Sequence, residues 1–165
     1  SDSLIWYVVV GETASSNIIY DYLPPTQSQK SYSAFVNHAM SILKQSEATD
    51  GRHGSLKKQT SSFGSWFALP ADKLTFIVLA AASTSDAAGV AALKSLRASV
   101  AKAFPELARS PNSAVSRPEL ERIARSLCES CCAADDKLLQ AKRTVDSTAD
   151  VMRGNIGSML QNHSK

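Results

Sequence analysis

A long apolar run near the start of the chain constrains its fold more than any other feature. Residues Ser3–Val10 are almost all β-branched, aromatic or aliphatic, and Gly11 follows them. Such a run, with no polar alternation, favours a strand that ends at the glycine and is buried on both faces. Leu74–Ala81 is apolar enough to be a second central strand. The chain is therefore predicted to build a sheet whose central strands are covered by other elements.

Turn residues predict two antiparallel hairpins in this sheet. Asn17–Leu23 is a strand closed by a pair of prolines, and only the short segment 12–16 separates it from the first strand. Phe63–Leu69 pairs in the same way with Leu74–Ala81, through a turn made by Pro70, Ala71 and Asp72. The polar segment Ser46–Ser62 is predicted to be a loop followed by a strand at the sheet edge, which brings the sheet to five strands.

Three segments show the helical period. They are Ser28–Lys44, Asp86–Phe104 and a third helix starting at about Arg117, where Ser116 and Glu119 form a capping box. The residues predicted to face inward are Tyr32, Phe35, Val36, Ala39, Ile42 and Leu43 in the first helix, Val90, Leu93, Leu96, Val100 and Phe104 in the second, and Leu120, Ile123 and Leu127 in the third. His38 falls on the polar side of the first helix. The order of elements predicts an α+β domain with helices on the faces of one antiparallel sheet.

Composition excludes several classes of protein. A chain of 165 residues with 44% hydrophobic content can bury one core, which predicts one domain plus a tail. The net charge of +3 comes from scattered basic residues, so we expect no nucleic-acid partner. No run is long enough to span a membrane and no signal peptide is recognisable, so the chain is expected to be soluble and cytosolic.

Catalysis and cofactors have little support in the sequence. There is no Gly-x-Ser-x-Gly elbow, no phosphate-binding glycine loop and no paired-histidine metal motif, so we expect neither an enzyme nor a cofactor. The crowded Cys128, Cys131 and Cys132 argue against a disulfide framework and for a reducing compartment. Small buried or half-buried thiols are favoured, with reversible lipidation or a metal site left as alternatives. A zinc site needs four ligands, and His163 is the only histidine downstream.

Beyond Ala134 the apolar period becomes that of a heptad repeat. Its seam consists of Leu138, Ala141, Val145, Thr148, Met152, Asn155, Met159 and Asn162. Gly154 and Gly157 each cost a helix about 1 kcal/mol relative to alanine. This segment is therefore expected to be disordered or docked until partner helices arrive. The alternative is a long helix that packs on its own domain.

Two stretches resemble known families. The order of elements, with Gly64–Phe67 followed by Asp72–Leu79, resembles the longin domain, a profilin-like fold of certain vesicle SNAREs and trafficking complexes. Val145 and Asp146, followed by the run 150–155 (Asp-Val-Met-Arg-Gly-Asn), resemble the first half of the synaptobrevin-type SNARE motif. The resemblance implies a longin domain over residues 1–132 and the first half of a SNARE motif over 133–165.

The resemblance also implies a function. A vesicle-side SNARE forms a parallel four-helix bundle with three target-membrane Q-SNARE helices, on the cytosolic face of endomembrane vesicles or organelles. The eight seam residues would be its layers, and Asn162 falls where the family has a central arginine. Either the chain is an unconventional vesicle SNARE or the alignment is shifted near its end. The family's membrane anchor would follow this segment, so the chain resembles a truncated form.

Longin domains of this family can fold back on their own SNARE segment. The groove predicted to accept Val145, Met152, Ile156 and Met159 is lined by Tyr32, Phe35, Ala39, Phe63, Trp66 and Phe67. Longin-binding trafficking regulators are further possible partners. Two alternatives stay open: these aromatic side chains are simply core, or the chain is a longin-like scaffold subunit of a coat, tether or exchange-factor complex.

Overall fold

The fold is α+β, with one five-stranded antiparallel sheet and three α-helices, and is compatible with a longin-like domain. The computed structural model describes residues 3–48 and 56–132. The elements are β1 (Ile5–Glu12), β2 (Asn17–Tyr22), α1 (Tyr32–Ala48), β3 (Lys57–Ser61), β4 (Gly64–Ala71), β5 (Leu74–Ala80), α2 (Asp86–Ala103) and α3 (Arg117–Ser130), with a short 3₁₀ turn at Gln29–Ser31 before α1.

The strands lie in the order β2-β1-β5-β4-β3, and each neighbouring pair is antiparallel. Both predicted hairpins are confirmed, as is the edge position of the polar strand β3. The two most apolar strands, β1 and β5, pair with each other over almost their whole length and form the middle of the sheet. Every residue of β5 is buried, because helices cover both faces there.

The helices divide between the two faces. On one face, side chains of α1 and of the sheet form one buried cluster. The helix contributes Phe35, Ala39, Ile42 and Leu43, and the sheet contributes Tyr7, Val9, Trp66, Ala68, Ile77 and Leu79. On the other face, α2, α3 and the sheet form a larger buried cluster. It includes Leu93 and Leu96 from α2, Leu120, Ile123 and Leu127 from α3, and Val8, Val10, Phe67, Leu69, Phe76 and Val78 from the sheet. Consecutive strand residues alternate between these clusters, as the pleat requires.

Gly11 does not end β1, contrary to the prediction. It pairs with Thr75 on one side and Ile18 on the other, and the strand continues to Glu12. A Cβ at Gly11 would lie 2.6 Å from Leu43 Cδ2, so glycine here lets α1 approach the sheet closely. The glycine that was predicted to end the strand is instead explained by packing, because Leu43 of α1 leaves no space for a side chain at this position.

The turn between β4 and β5 is tighter than predicted. Pro70 and Ala71 lie within β4 and pair with Thr75 and Leu74, so only Asp72 and Lys73 form the turn. Asp72 adopts a left-handed backbone with φ 55°, which aspartate tolerates better than most residues. The β4–β5 hairpin is therefore longer than was predicted from a turn at Pro70.

Side-chain caps set the starts of α2 and α3. Ser85 Oγ accepts a hydrogen bond from the Ala88 N–H at 3.1 Å, and Ser116 Oγ accepts one from the Glu119 N–H at 3.3 Å. These bonds satisfy donors that the first turn leaves unpaired. The predicted capping serine is thus confirmed, while the Glu119 carboxylate accepts from the guanidinium of Arg122.

We predict that Gly64→Ala destabilises the domain by about 2–4 kcal/mol. Gly64 has φ +150°, and an alanine Cβ would lie 2.3 Å from the Ala80 carbonyl oxygen of the neighbouring strand. That oxygen is a backbone atom of β5, which is paired on both sides, so relieving the contact would require the strand itself to shift. Denaturant unfolding measures the change, with the exposed turn residue Ser62→Ala as control, expected within about 0.5 kcal/mol of wild type. Equal stability of the two variants would contradict this account of Gly64.

Candidate functional site

The predicted groove is mostly filled by the domain's own core. Phe35, Ala39 and Trp66 are buried between α1 and the sheet, and Phe63 is half-buried against them. Tyr32, at the start of α1, is 37% exposed. The structure therefore brings five of the six predicted groove residues to one face but leaves only Tyr32 and part of Phe63 accessible. This arrangement matches the core interpretation for most of the six.

Phe67 lies on the opposite face of the sheet. It follows Trp66 directly on β4, and adjacent strand residues point to opposite faces. Its ring is fully buried under α2, where a Cβ at Gly89 would lie 2.4 Å from it, and the Lys58 ammonium lies 5.6 Å from its centroid. The strict alternation of a strand could have separated the two aromatic residues before the structure was known.

Aromatic rings pack against one another in the layer between α1 and the sheet, mostly edge to face. The Phe35 ring lies 5.2 Å from Phe63 and 5.7 Å from Tyr7, centroid to centroid. The imidazole of His38 stacks on Trp66 at 4.6 Å. His38, predicted to face solvent, is instead half-buried at the boundary between α1 and β4. Such ring pairs favour a fixed arrangement of the layer.

Side-chain hydrogen bonds close the α1–β3 boundary over this layer. His38 Nε2 lies 3.2 Å from Gln59 Oε1, and the Gln59 amide donates to Gln45 on the next turns of α1. Trp66 Nε1 donates to Ser61 Oγ at 3.0 Å. An apolar helix could enter this boundary only by separating these partners, which costs free energy if they stay buried.

A carboxylate on β2 links the sheet to the start of α1. Asp21 Oδ2 accepts hydrogen bonds from the Tyr7 and Tyr32 hydroxyls, each at 2.6 Å. Burial, and then the bond to Asp21, raises the pKa of Tyr7 far above its ordinary range. The bond to Asp21 and partial burial raise the pKa of Tyr32 to about 12.

A cleft of about 860 Å³ lies at one end of the sheet. Three segments that are remote in sequence form it: the start of β1, the segment after β2 and the last turns of α3. Its lining includes Leu4, Trp6, Tyr22, Pro24, Arg125 and Glu129. Sequence reasoning missed this cleft because no local pattern brings the three segments together.

The cysteines lie beside this cleft. Cys128 lines it and is buried, and this burial raises the pKa of its thiol to about 12. Cys131 and Cys132 are half-buried just beyond the end of α3. Among residues 3–48 and 56–132, no group of three or more histidine, cysteine, aspartate or glutamate side chains is arranged to hold a metal ion.

The predicted layer residues Leu138, Ala141, Val145, Thr148, Met152, Asn155, Met159 and Asn162 lie outside the described residues. The same holds for Ile156 and His163. Within the described ranges, no helix is both long enough and apolar enough to cross a membrane. No protein-family model matches the chain, and no curated protein matches it significantly.

We predict a loss of stability at alkaline pH that depends on Asp21. A tyrosine whose pKa is raised by folding contributes stability that is complete below its unfolded pKa of about 10 and is lost as pH rises towards the folded value. Tyr7, Tyr20 and Tyr32 all have raised pKa values, with Tyr20 raised to about 12 mainly by burial. Asp21→Asn removes the negative charge beside Tyr7 and Tyr32, so the pKa of each tyrosine should be raised less. We therefore expect the free energy of unfolding of this variant to fall less steeply above pH 10 than that of the wild type.

The measurement is the free energy of unfolding against pH, taken for wild type, Asp21→Asn and the control Glu106→Gln. Glu106 is an exposed carboxylate that pairs with Arg109, so removing its charge should leave the alkaline slope unchanged. Identical slopes for all three proteins would contradict the role given to Asp21.

We also predict that the three thiols react in a fixed order. The thiolate attacks the maleimide double bond, so the buried Cys128, whose thiol has a raised pKa, should react well after the half-buried Cys131 and Cys132 at neutral pH. Peptide mass spectrometry after timed labelling measures the order, and labelling in denaturant, where the rates should converge, is the control. Modification of Cys128 as fast as its neighbours in the folded protein would contradict its burial.

Proposed function

We propose that this chain is the cytosolic part of a vesicle-side SNARE, with an N-terminal longin domain that regulates a SNARE segment beginning at about residue 133. The observation that carries the proposal is the pairing of the two parts. An α+β domain compatible with the longin fold is followed directly by a heptad seam with a synaptobrevin-like group of residues. The protein would act on the cytosolic face of endomembrane vesicles or organelles.

The arrangement of the domain supports the first part. One helix covers one face of the sheet and two helices cover the other, in the order strand, strand, helix, three strands, helix, helix. This is the order expected for the profilin-like longin fold. A fold alone does not define a function, so the proposed function also depends on the tail.

The tail supplies the proposed mechanism. Three target-membrane Q-SNARE helices would combine with the tail in a parallel bundle that zips towards the membranes. Each layer would bury apolar area at about 25 cal/mol per Å², and the sum would offset the cost of bringing two bilayers together. Leu138, Val145, Met152 and Met159 would provide the apolar layers of this helix.

Asn162 would occupy the central layer in place of an arginine. Its amide can exchange hydrogen bonds with partner glutamines, but it is shorter and carries no charge. It would therefore fix the register of the bundle less strongly than arginine does. On this proposal the chain is an unconventional member of its class.

Regulation would come from competition between the domain and the partner helices. A tail held on its own domain is unavailable to the target-side helices, and the short connection after α3 makes the intramolecular contact effective at any protein concentration. Trafficking regulators that recognise the longin domain would shift this balance.

The test combines this chain, extended through the rest of its native SNARE segment, with target-side Q-SNARE helices. We expect a complex that resists detergent. Val145→Asp should weaken it by about 2–4 kcal/mol, because the substitution places a carboxylate in a buried layer.

The matched control is Ser147→Asp, which adds the same charge outside the seam and should leave assembly intact. Melting temperatures of the complexes provide the readout. Failure to assemble with any set of Q-SNARE helices, or equal effects of the two aspartates, would contradict the proposal. A tail that instead packs stably on its own domain in every condition would favour a longin-like scaffold subunit.

A further inference from the structure

We propose that the outward face of α2 binds the surface of a membrane that contains anionic phospholipids. This inference goes beyond the proposed function and does not rest on it, because the residues that carry it all belong to the described domain. The membrane would be recognised through the negative charge of its headgroups.

The outward face of α2 carries an excess of positive charge. Lys94, Arg97 and Lys102 are exposed, and among residues 3–48 and 56–132 no carboxylate forms an ion pair with any of them. Asp86, the acidic residue of this helix, lies in its first turn and pairs with Lys58 at 2.6 Å. The exposed cations therefore have no neutralising charge on their own helix.

The other two helices differ from α2 in this respect. In α3, Glu119 pairs with Arg122 and Glu121 pairs with Arg125, so charges of opposite sign neutralise each other along its exposed side. Between residues 32 and 45, α1 carries Lys44 as its one lysine, arginine, aspartate or glutamate. Over the described residues, α2 therefore presents more unpaired positive charge than either of the other helices.

The three cations are spaced so that they can reach a plane together. A helix rises about 1.5 Å per residue, so Lys94 and Lys102 lie about 12 Å apart along the axis, with Arg97 between them. Small exposed residues separate them, namely Ser95, Ala98 and Ala101. The long cationic side chains therefore extend beyond the helix surface, and lipid phosphates can approach them without meeting a bulky neighbour.

The same face offers little to a protein partner. Protein interfaces usually depend on large side chains, such as tryptophan or tyrosine, that are buried in fitted pockets. Apart from the cations, the exposed residues of α2 are all alanine or serine. A membrane surface requires no such anchor, since each lysine or arginine near anionic lipids contributes through its charge.

Hydrogen-bond donors for lipid phosphates lie beside this face. A polar groove of about 80 Å³ lies between α2 and α3, and its lining includes Ser95, Ser99, Ser126 and Arg122. The Arg122 guanidinium donates from two nitrogens to Glu119, and its remaining N–H groups can donate to a phosphate oxygen. Headgroups beside α2 can therefore be hydrogen-bonded as well as neutralised.

Charges near the C-terminal end of α2 do not cancel this excess. Asp72 is exposed and lines a small pocket together with Arg97, but the next residue, Lys73, is also exposed. Glu106, which follows the helix, pairs with Arg109 at 2.6 Å. Each of these two acidic residues is thus accompanied by a basic one, and the positive charge of the helix face remains.

Binding through α2 would also orient the domain on the membrane. The helix α1 covers the opposite face of the sheet, so it would point away from the lipid surface. The α1 face would then stay accessible to soluble proteins while the domain is bound.

The experiment measures co-sedimentation of the complete chain with phosphatidylcholine vesicles that contain or lack phosphatidylserine. We expect binding to the vesicles that contain phosphatidylserine, and this binding should weaken steeply as salt is added. In Lys94→Gln/Lys102→Gln the affinity should fall about 25-fold, because each lysine near an anionic surface contributes about fivefold. Both side chains are exposed, so the variant should fold normally, and circular dichroism checks that it does.

The matched control is Lys30→Gln/Lys44→Gln, which removes the same two charges from exposed positions in the 3₁₀ turn before α1 and in α1 itself. Its affinity for the vesicles should stay close to that of the wild type. Absence of binding to phosphatidylserine vesicles overturns the proposal, as do equal losses in the two variants or a loss in the control alone. Equal binding to vesicles without phosphatidylserine overturns it as well.

Two soluble competitors separate a lipid surface from other anionic ligands. Glycerophosphoserine carries the headgroup without the bilayer, and polyglutamate stands in for an acidic protein. We expect neither to displace the chain from phosphatidylserine vesicles at an equal concentration of negative charge. Displacement by glycerophosphoserine overturns the proposal in favour of a soluble phosphate ligand, and displacement by polyglutamate overturns it in favour of an acidic protein.

These outcomes are independent of the assembly test. No Q-SNARE helix is present in the vesicle experiment, so failure to bind lipid would leave the proposed function standing. Failure to assemble with Q-SNARE helices, combined with binding that depends on Lys94 and Lys102, would remove the proposed function while leaving the membrane-binding face.

Discussion

The pairing of β1 with β5 is the interaction on which the rest of the domain depends. Both strands are apolar on both faces, and they pair from Ile5 with Ala80 to Glu12 with Leu74. A sheet with such a centre is stable in water only if both faces are covered. The single helix α1 and the pair α2 and α3 provide that cover, so the layered fold follows from two apolar runs.

The main features of the fold could be predicted because they depend on local patterns. The two hairpins, the edge strand, three helices and the capping Ser116 all follow from residue type and spacing. Errors arose where one residue had two physical explanations. Gly11 resembled a strand end but makes room for Leu43, and Pro70 resembled a turn but lies within β4.

The candidate sites were less predictable because they depend on tertiary contacts. The apolar character of Trp66 and Phe67 suggested a shared groove, yet the pleat places them on opposite faces of the sheet. The cleft at the root of the tail depends on three distant segments and has no signature in any of them. The bond between Leu4 and Cys131, which places the start of the tail at this cleft, is likewise a tertiary contact.

The central proposal is that the segment beyond α3 packs against helices of other molecules. Amide hydrogen exchange of the complete chain, with and without three target-side Q-SNARE helices, tests this claim most directly. The account predicts that residues 138–162 gain strong protection when the helices are added, while the sheet exchanges as before. Exchange in that segment that is unchanged by any set of Q-SNARE helices would contradict the account.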